Sequence, residues 1–421
     1  MNLPASRDDP SVPVVAASLI VGVFFAGVAG GVAFPTLPRL GPVLGISPFL
    51  VGLILAINRM TRLVLNTPAG SILDRLGTRK PMLFGFALMP LAPFGYILGL
   101  DPGPLPLSSA TVFLLARGVW GVGSAFVFVG AFSTITHVTT PENRGRWTGY
   151  MRGGQSMGFP TGLVVGGLVT DAFGYAPAFS LAGIAGIFAT VVAFFVIPNV
   201  NADVGQGAGI RAIPGLVRRD PRIGTVGFVN FAVRFLFAGV LISTVVLYAE
   251  TFGIRISGVS EVGVSGVVMA ASVVASSGAT VVAGRYSDAL PNRALITVPA
   301  LGVLALGFVL LVFVPTLLGS MLGVVLVGFG VGGSNPPLLA YLGDISPSGD
   351  VGKLGGVYNV FGDVGSSLGP VVAIPAVHAV GFRVSYLVCA GLVVVAGALV
   401  AATLLGAPPT PPETATSPAD D

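Results

Sequence analysis

Charge is scarce in this chain. Only 9% of its 421 residues are Asp, Glu, Lys or Arg, whereas a soluble globular domain carries roughly 25%. So few ionic groups cannot cover a water-facing surface. Together with 53% hydrophobic residues and a mean hydropathy of +0.92, this excludes a disordered chain, a coiled coil and an ordinary cytosolic enzyme. Cysteine is nearly absent as well. The single Cys389 lies inside an apolar run and has no second thiol for an internal disulfide. The two histidines, His137 and His378, are far apart and have no cysteine or carboxylate at metal-ligand spacing, so no metal site is expected. No G-x-x-x-x-G-K-[ST] stretch occurs, which excludes a P-loop. The net charge of +4 is spread over many segments, so nucleic acid is not an expected partner. No cofactor is expected, and no nucleophile–base set that would make an enzyme can be assembled.

Long apolar runs are what the chain has in quantity. A helix needs about 20 apolar residues to cross the hydrocarbon core. Spans are accordingly predicted at 13–36, 49–72, 80–100, 108–137, 146–170 and 176–198, then at 224–249, 260–284, 294–314, 318–342, 354–378 and 382–405. The first run is too long for a leader's apolar region and is followed by others like it, so a cleaved leader is not expected. The polar segment 199–223 divides the chain into a six-helix bundle over 13–198 and a second over 224–405. A short N-terminal segment, 1–12, and a Pro/Thr/acid-rich tail, 406–421, flank them, and the tail is expected to be disordered. The expected fold is an all-α membrane protein of twelve transmembrane helices in two pseudo-symmetric six-helix bundles.

Basic residues orient these spans. With the N-terminus in the cytoplasm, 13 Lys and Arg fall in cytoplasmic segments (among them Arg75, Arg79, Lys80, Arg144, Arg218 and Arg285) and only Arg39, Arg255 and Arg383 fall on the other side. Both termini are therefore expected inside the cell, in the plasma membrane, with the protein a monomer. The halves also repeat. Shifted by 214, Gly70 and Asp74 fall on Gly284 and Asp288. Shifted by 207, Gly121, Gly123, Gly158 and Gly162 fall on Gly328, Gly330, Gly365 and Gly369. Such glycines let helices approach closely, and repeated six-span halves suit a transporter that rocks two bundles about a central site.

The segment Gly70-Ser-Ile-Leu-Asp74-Arg75-Leu-Gly77-Thr-Arg79-Lys80 resembles the G-x-L-A-D-R-x-G-R-K pattern of the major facilitator superfamily, with Thr78 in place of the first closing base. A degraded copy runs from Gly284 through Asp288 to Arg293. Arg117-Gly-Val-Trp120-Gly121-Val-Gly123-Ser-Ala125 is similar to the family's span-4 pattern, with Trp120 where glutamine is expected. Gly154-Gln-Ser-Met-Gly158-Phe-Pro160-Thr-Gly162 resembles the antiporter motif of span 5, with proline one place late. Gly365-Ser-Ser-Leu-Gly369-Pro370 keeps the core of that motif. The resemblance implies proton antiport and a part for Arg117 in proton transfer. In the first motif, Asp74 can cap backbone donors or pair with arginine. The set Gly70, Asp74, Arg75, Gly77 and Arg79, with Gly284 and Asp288, is a candidate conformational latch, or else a topology marker.

Ionisable groups inside spans mark a pathway or a pair. Five arginines qualify: Arg59, Arg62, Arg117, Arg152 and Arg234. One acid does, Asp363, with Asn359 one turn before it. A guanidinium cannot shed its charge, so an anion or a polar network must receive each one. Asp363 is the candidate proton carrier, or the partner in a static ion pair. Gly328-Phe-Gly330-Val-Gly-Gly333 fits a dinucleotide fingerprint, but it lies in an apolar span with no preceding strand. The expected function is alternating-access transport of a small anionic or amphipathic molecule, as proton-coupled efflux. Uptake or exchange of an organic anion is the alternative, and a non-transporting membrane sensor is a reading of another class.

Overall fold

The computed structural model describes residues 12–103, 106–198, 200, 213–346 and 351–406. Expectations for the N-terminal segment, the tail and much of the central segment fall outside these residues. Among the described residues the chain is helical with no strand, and one isolated bridge joins Ile256 to Val259. The first helices are α1 (Val12–Val43), α2 (Pro48–Leu76), α3 (Arg79–Leu88), α4 (Leu91–Leu100), α5 (Ser109–Val138), α6 (Pro141–Phe173) and α7 (Tyr175–Val196). After the central segment come α8 (Ile213–Arg219), α9 (Pro221–Arg234), α10 (Ile242–Phe252), α11 (Glu261–Asp288), α12 (Thr297–Phe313), α13 (Leu317–Asp344) and α14 (Val351–Thr403).

Local chemistry sets many of the ends. Ser47 accepts from the Leu50 amide at the start of α2, with Pro48 next to it, and Gly77 closes that helix at φ 75°. Ser108 and Thr316 cap α5 and α13 in the same manner. Three spans depart from the simple helices expected. Span 3 is broken into α3 and α4, because Pro90 has no amide to donate. Span 7 contains a π-helical segment, Phe235–Leu241, between α9 and α10. The polar segment 199–223 contains α8 and the first residues of α9.

Ten helical stretches among the described residues are long and apolar enough to cross a membrane. The last, Lys353–Thr403, has 51 residues, or about 77 Å of helix, more than twice the thickness of a hydrocarbon core. Gly381, at φ 78°, breaks it into two spans. The 33-residue α6 is also long enough, but its first half is too polar to count on hydropathy alone. With α6 included and α14 divided, the chain has the twelve spans of the expected fold.

Two compact units are distinguished. One comprises Met1–Gly205 with Arg255–Ala270, and the other Gln206–Ile254 with Ala271–Asp421, so α11 contributes to both. In the first unit, α1 packs chiefly on α6 and α2 on α5. In the second, α9 packs on α14 and α12 on α13. The repeated glycines sit at these seams. The Phe24 carbonyl of α1 occupies the place that a side chain on Gly158 would need, and the Val28 carbonyl does the same at Gly162. Shifted by 207, the second unit repeats this: Gly365 lies on the Phe231 carbonyl and Gly369 on Gly239 and the Phe235 carbonyl. Gly121 lies on the Asn58 carbonyl and Gly328, its counterpart under the 207 shift, on that of Ser272, which matches Asn58 under the 214 shift. The internal repeat is therefore a repeat of backbone contacts as well as of residues.

A side chain at such a seam must push two helices apart. Gly162→Val should lower the thermal unfolding midpoint of the detergent-purified protein, at a cost of about 2 kcal/mol. Gly149→Ala, where no neighbour stands within 4 Å, should leave it unchanged.

Candidate functional site

In the first unit the arginines are arranged around phenyl rings. Phe34 of α1 is 3% exposed. The Arg117 guanidinium lies 5.5 Å from its ring centre and that of Arg59 5.6 Å. Phe34 also makes an edge contact with Phe159 of α6 at 5.4 Å. One ring thereby joins α1, α2, α5 and α6. Arg62, three residues after Arg59, meets Phe128 of α5 at 5.7 Å. Arg152 of α6 lies 5.9 Å from Phe132 of α5. An aromatic face attracts a cation through its quadrupole, by about 2 kcal/mol where water is excluded. The sequence called for an anion or a polar network to receive these charges. Phenyl faces receive four of the five.

Arg117 is the most buried of them, at 1% exposure. Its Nε donates to the Ile54 carbonyl at 3.2 Å and its Nη2 to that of Leu55 at 3.3 Å, which ties α5 to α2. The Tyr96 hydroxyl of α4 is within electrostatic reach of this guanidinium, although no hydrogen bond of sound geometry joins them. Trp120, which replaces the family's glutamine, is buried one turn further on.

The second unit holds a polar cluster where α9, α13 and α14 meet. Asn230, 1% exposed, donates through Nδ2 to the Tyr358 carbonyl at 2.6 Å. The Tyr358 hydroxyl donates to Asn335 Oδ1 at 3.0 Å. Gly362 stands against the Asn230 amide and the stem of Arg234. Arg234 is exposed at the end of α9, directly before the π-helical segment. Asp363 is half-buried, and its backbone carbonyl accepts from the Ser367 hydroxyl at 2.7 Å. Asn359 is exposed on the turn before it. Arg234, Asn359 and Asp363 thus share this neighbourhood, while Arg59, Arg62, Arg117 and Arg152 lie in the first unit. Sequence reasoning passed over Phe34, Tyr358 and the π-helical segment. A phenylalanine in an apolar run carries no mark of the cation above it.

The segment after α2, the first candidate latch, is fastened through the backbone. Thr78 is fully buried; its amide donates to the Val200 carbonyl at 3.0 Å. A hydroxyl fits this site and a long base would not, which accounts for the departure from the family pattern. Arg79 donates to the Phe194 carbonyl at 3.0 Å, and Gly70 is buried in α2. Asp74 and Arg75 are exposed. In the second copy, Arg293 bridges Asp288 at 2.6 Å and Asp344 at 3.0 Å, joining the ends of α11 and α13. Gly284 is half-buried with open space around it, apart from Pro336 at 3.9 Å. Pro160 and Pro370 are buried within α6 and α14.

The family model described as Major Facilitator Superfamily matches residues 19–370, with a second match over 262–420. The chain belongs to the major facilitator superfamily. It is therefore a multi-pass membrane transporter of small molecules and not an enzyme. Multidrug resistance protein 1 of Bacillus subtilis is 23% identical over 364 residues, which cover 84% of this chain and 87% of that protein. The quinolone resistance protein NorA of Staphylococcus aureus is 23% identical over 189 residues, 45% of this chain and 46% of that one. Among solved structures, an inward-facing, occupied bacterial homologue of the human lysosomal transporter Spinster superposes with a TM-score of 0.76. It has 15% identity, with 97% of this chain and 100% of that one covered. The human organic anion transporter MFSD10 has a TM-score of 0.63 at 16% identity, covering 93% and 100%. At these identities the structures establish the fold alone.

Phe34→Leu keeps an apolar side chain but takes the ring from two guanidiniums. It should destabilise the transporter by roughly 1 to 2 kcal/mol, read as a lower unfolding midpoint in detergent. Phe34→Tyr, which keeps the ring face, should retain most of the wild-type midpoint.

Proposed function

We propose that the transporter exports a small amphipathic molecule by alternating access, coupled to proton entry. Its location is the plasma membrane, with both termini cytoplasmic. The bundles 13–198 and 224–405, linked in sequence by the segment 199–223, are the two halves that the cycle moves. The observation that carries the coupling is the chemistry of the intramembrane charges. Arginine does not release its proton near neutral pH, so among the candidate residues Asp363 is the group able to carry one. The resistance proteins among the relatives support export of foreign amphipathic compounds.

A second reading is favoured by the ring-stacked arginines: uptake or exchange of an organic anion that displaces a phenyl face from Arg59 or Arg62. In both readings the candidate contacts are Arg59, Arg62 and Arg152 within the first unit, and Arg234, Asn359 and Asp363 within the second. Arg117 holds α2 and α5 in register, and Gly70, Asp74, Arg75, Gly77, Arg79, Gly284 and Asp288 latch one conformation. In proteoliposomes, an imposed pH gradient should drive ethidium accumulation by wild type. Asp363→Asn should abolish the driven component and leave downhill exchange intact. Undiminished driven accumulation in that variant would discard the coupling role. Arg59→Gln and Arg62→Gln should weaken anion transport about tenfold and spare cations if the second reading holds, since about 1.4 kcal/mol of lost interaction is tenfold in affinity.

A further inference from the structure

The second unit has an apolar groove that neither proposed reading uses. It has a volume of about 410 Å³ and is lined by α11, α12 and α13, with Val282, Tyr286, Val303, Phe329 and Gly333 among its walls. Its lining includes no charged side chain. Along α11 the lining runs from Ala279 to Tyr286, about 10 Å of helix. It continues past the end of α11 to Ala289 and Leu290, so the groove reaches the end of the span. The groove opens outward, since Tyr286 is 68% and Val282 47% exposed.

At the end where α11 finishes stands Arg285. It follows Val282 by three residues, so it shares a helix face with that groove residue. It is exposed, and among the described residues no carboxylate pairs with it. The nearby Arg293, in contrast, is occupied by Asp288 and Asp344. A long basic side chain near a span end extends to the headgroup level.

We propose that this groove binds one anionic phospholipid, with an acyl chain along α11 and the phosphate on Arg285. The basic-residue asymmetry puts this end of the groove in the cytoplasmic leaflet. Three observations point to that occupant together: an apolar trough that reaches a span end, an opening toward the bilayer, and a cation available at the depth of the headgroups. A neutral lipid satisfies the first two and leaves the cation unanswered.

The purified transporter in nanodiscs tests this with phosphatidylglycerol or phosphatidylcholine carrying the same diazirine-tagged chains, the crosslinks being mapped by peptide mass spectrometry. In wild type the phosphatidylglycerol label should concentrate on peptides bearing 279–303 and 329–333. Unlabelled phosphatidylglycerol should compete it away better than phosphatidylcholine does, a readout that needs no variant. Arg285→Gln should cut the phosphatidylglycerol label there about fivefold, the factor that one basic side chain at an anionic surface is worth. The phosphatidylcholine label should stay unchanged. Val303→Trp, which fills the trough, should remove both labels from these peptides and spare those elsewhere. Equal labelling by the two lipids in wild type, or a label spread evenly over the lipid-facing helices, would overturn the proposal. So would displacement of the label by excess tetraphenylphosphonium, which would make the groove a substrate portal.

Discussion

The rest of this molecule depends on direct contact between helix backbones. Lipid tails are as apolar as leucine, so no hydrophobic gain drives one helix onto another inside a bilayer. Dispersion and backbone proximity must do it instead, and both require the intervening side chains to be absent. Gly158 and Gly162 against the Phe24 and Val28 carbonyls supply that contact in the first unit. Gly365 and Gly369, against Phe231 and the π-helical segment, supply it in the second. These seams hold α1 on α6 and α9 on α14, the helices that carry Phe34, Arg152, Arg234 and Asp363. A π-helical turn beside Gly239 has one residue more per turn than its neighbours. It allows Gly239 to meet Gly369 while Arg234 stays at the end of α9.

Charge inside the spans is handled differently in the two units. The first unit has four intramembrane arginines, and each lies over a phenyl ring. Aromatic faces attract a cation through their quadrupole, and the guanidiniums stay charged beside them. The second unit uses amides, a tyrosine hydroxyl and a carboxylate around Asn230, Tyr358 and Asp363. One side therefore has fixed charge and the other a group whose charge can change. That inequality between otherwise repeated halves underlies the proposal of a proton carrier in the second unit.

Much of the architecture was legible in the residues. Spans follow from runs of apolar residues, and the seams follow from glycines that recur under a fixed shift. The intramembrane arginines were equally visible, because a guanidinium stands out in an apolar run. What receives them was not. Phe34 is one of 27 phenylalanines, and nothing local separates it from the others. Thr78 stood out only as a departure from a family pattern; its bond to Val200, far along the chain, gives the departure a reason. The break at Pro90 had a visible cause, yet proline is tolerated in many membrane helices, as Pro160 and Pro370 are here.

The amino-acid sequence by itself determined the membrane class, the helical fold, the number of spans, the repeat and the identity of the charged residues that do not belong in lipid. Each of these follows from composition or from short-range pattern, because a bilayer imposes a length and an apolarity on every segment separately. Tertiary structure alone decided which ring lies beneath which guanidinium, that Arg117 spends two of its donors on α2, and that α11, α12 and α13 enclose an apolar groove. Those facts join residues on different helices, and the distance between helices is set by packing that no local run of residues records.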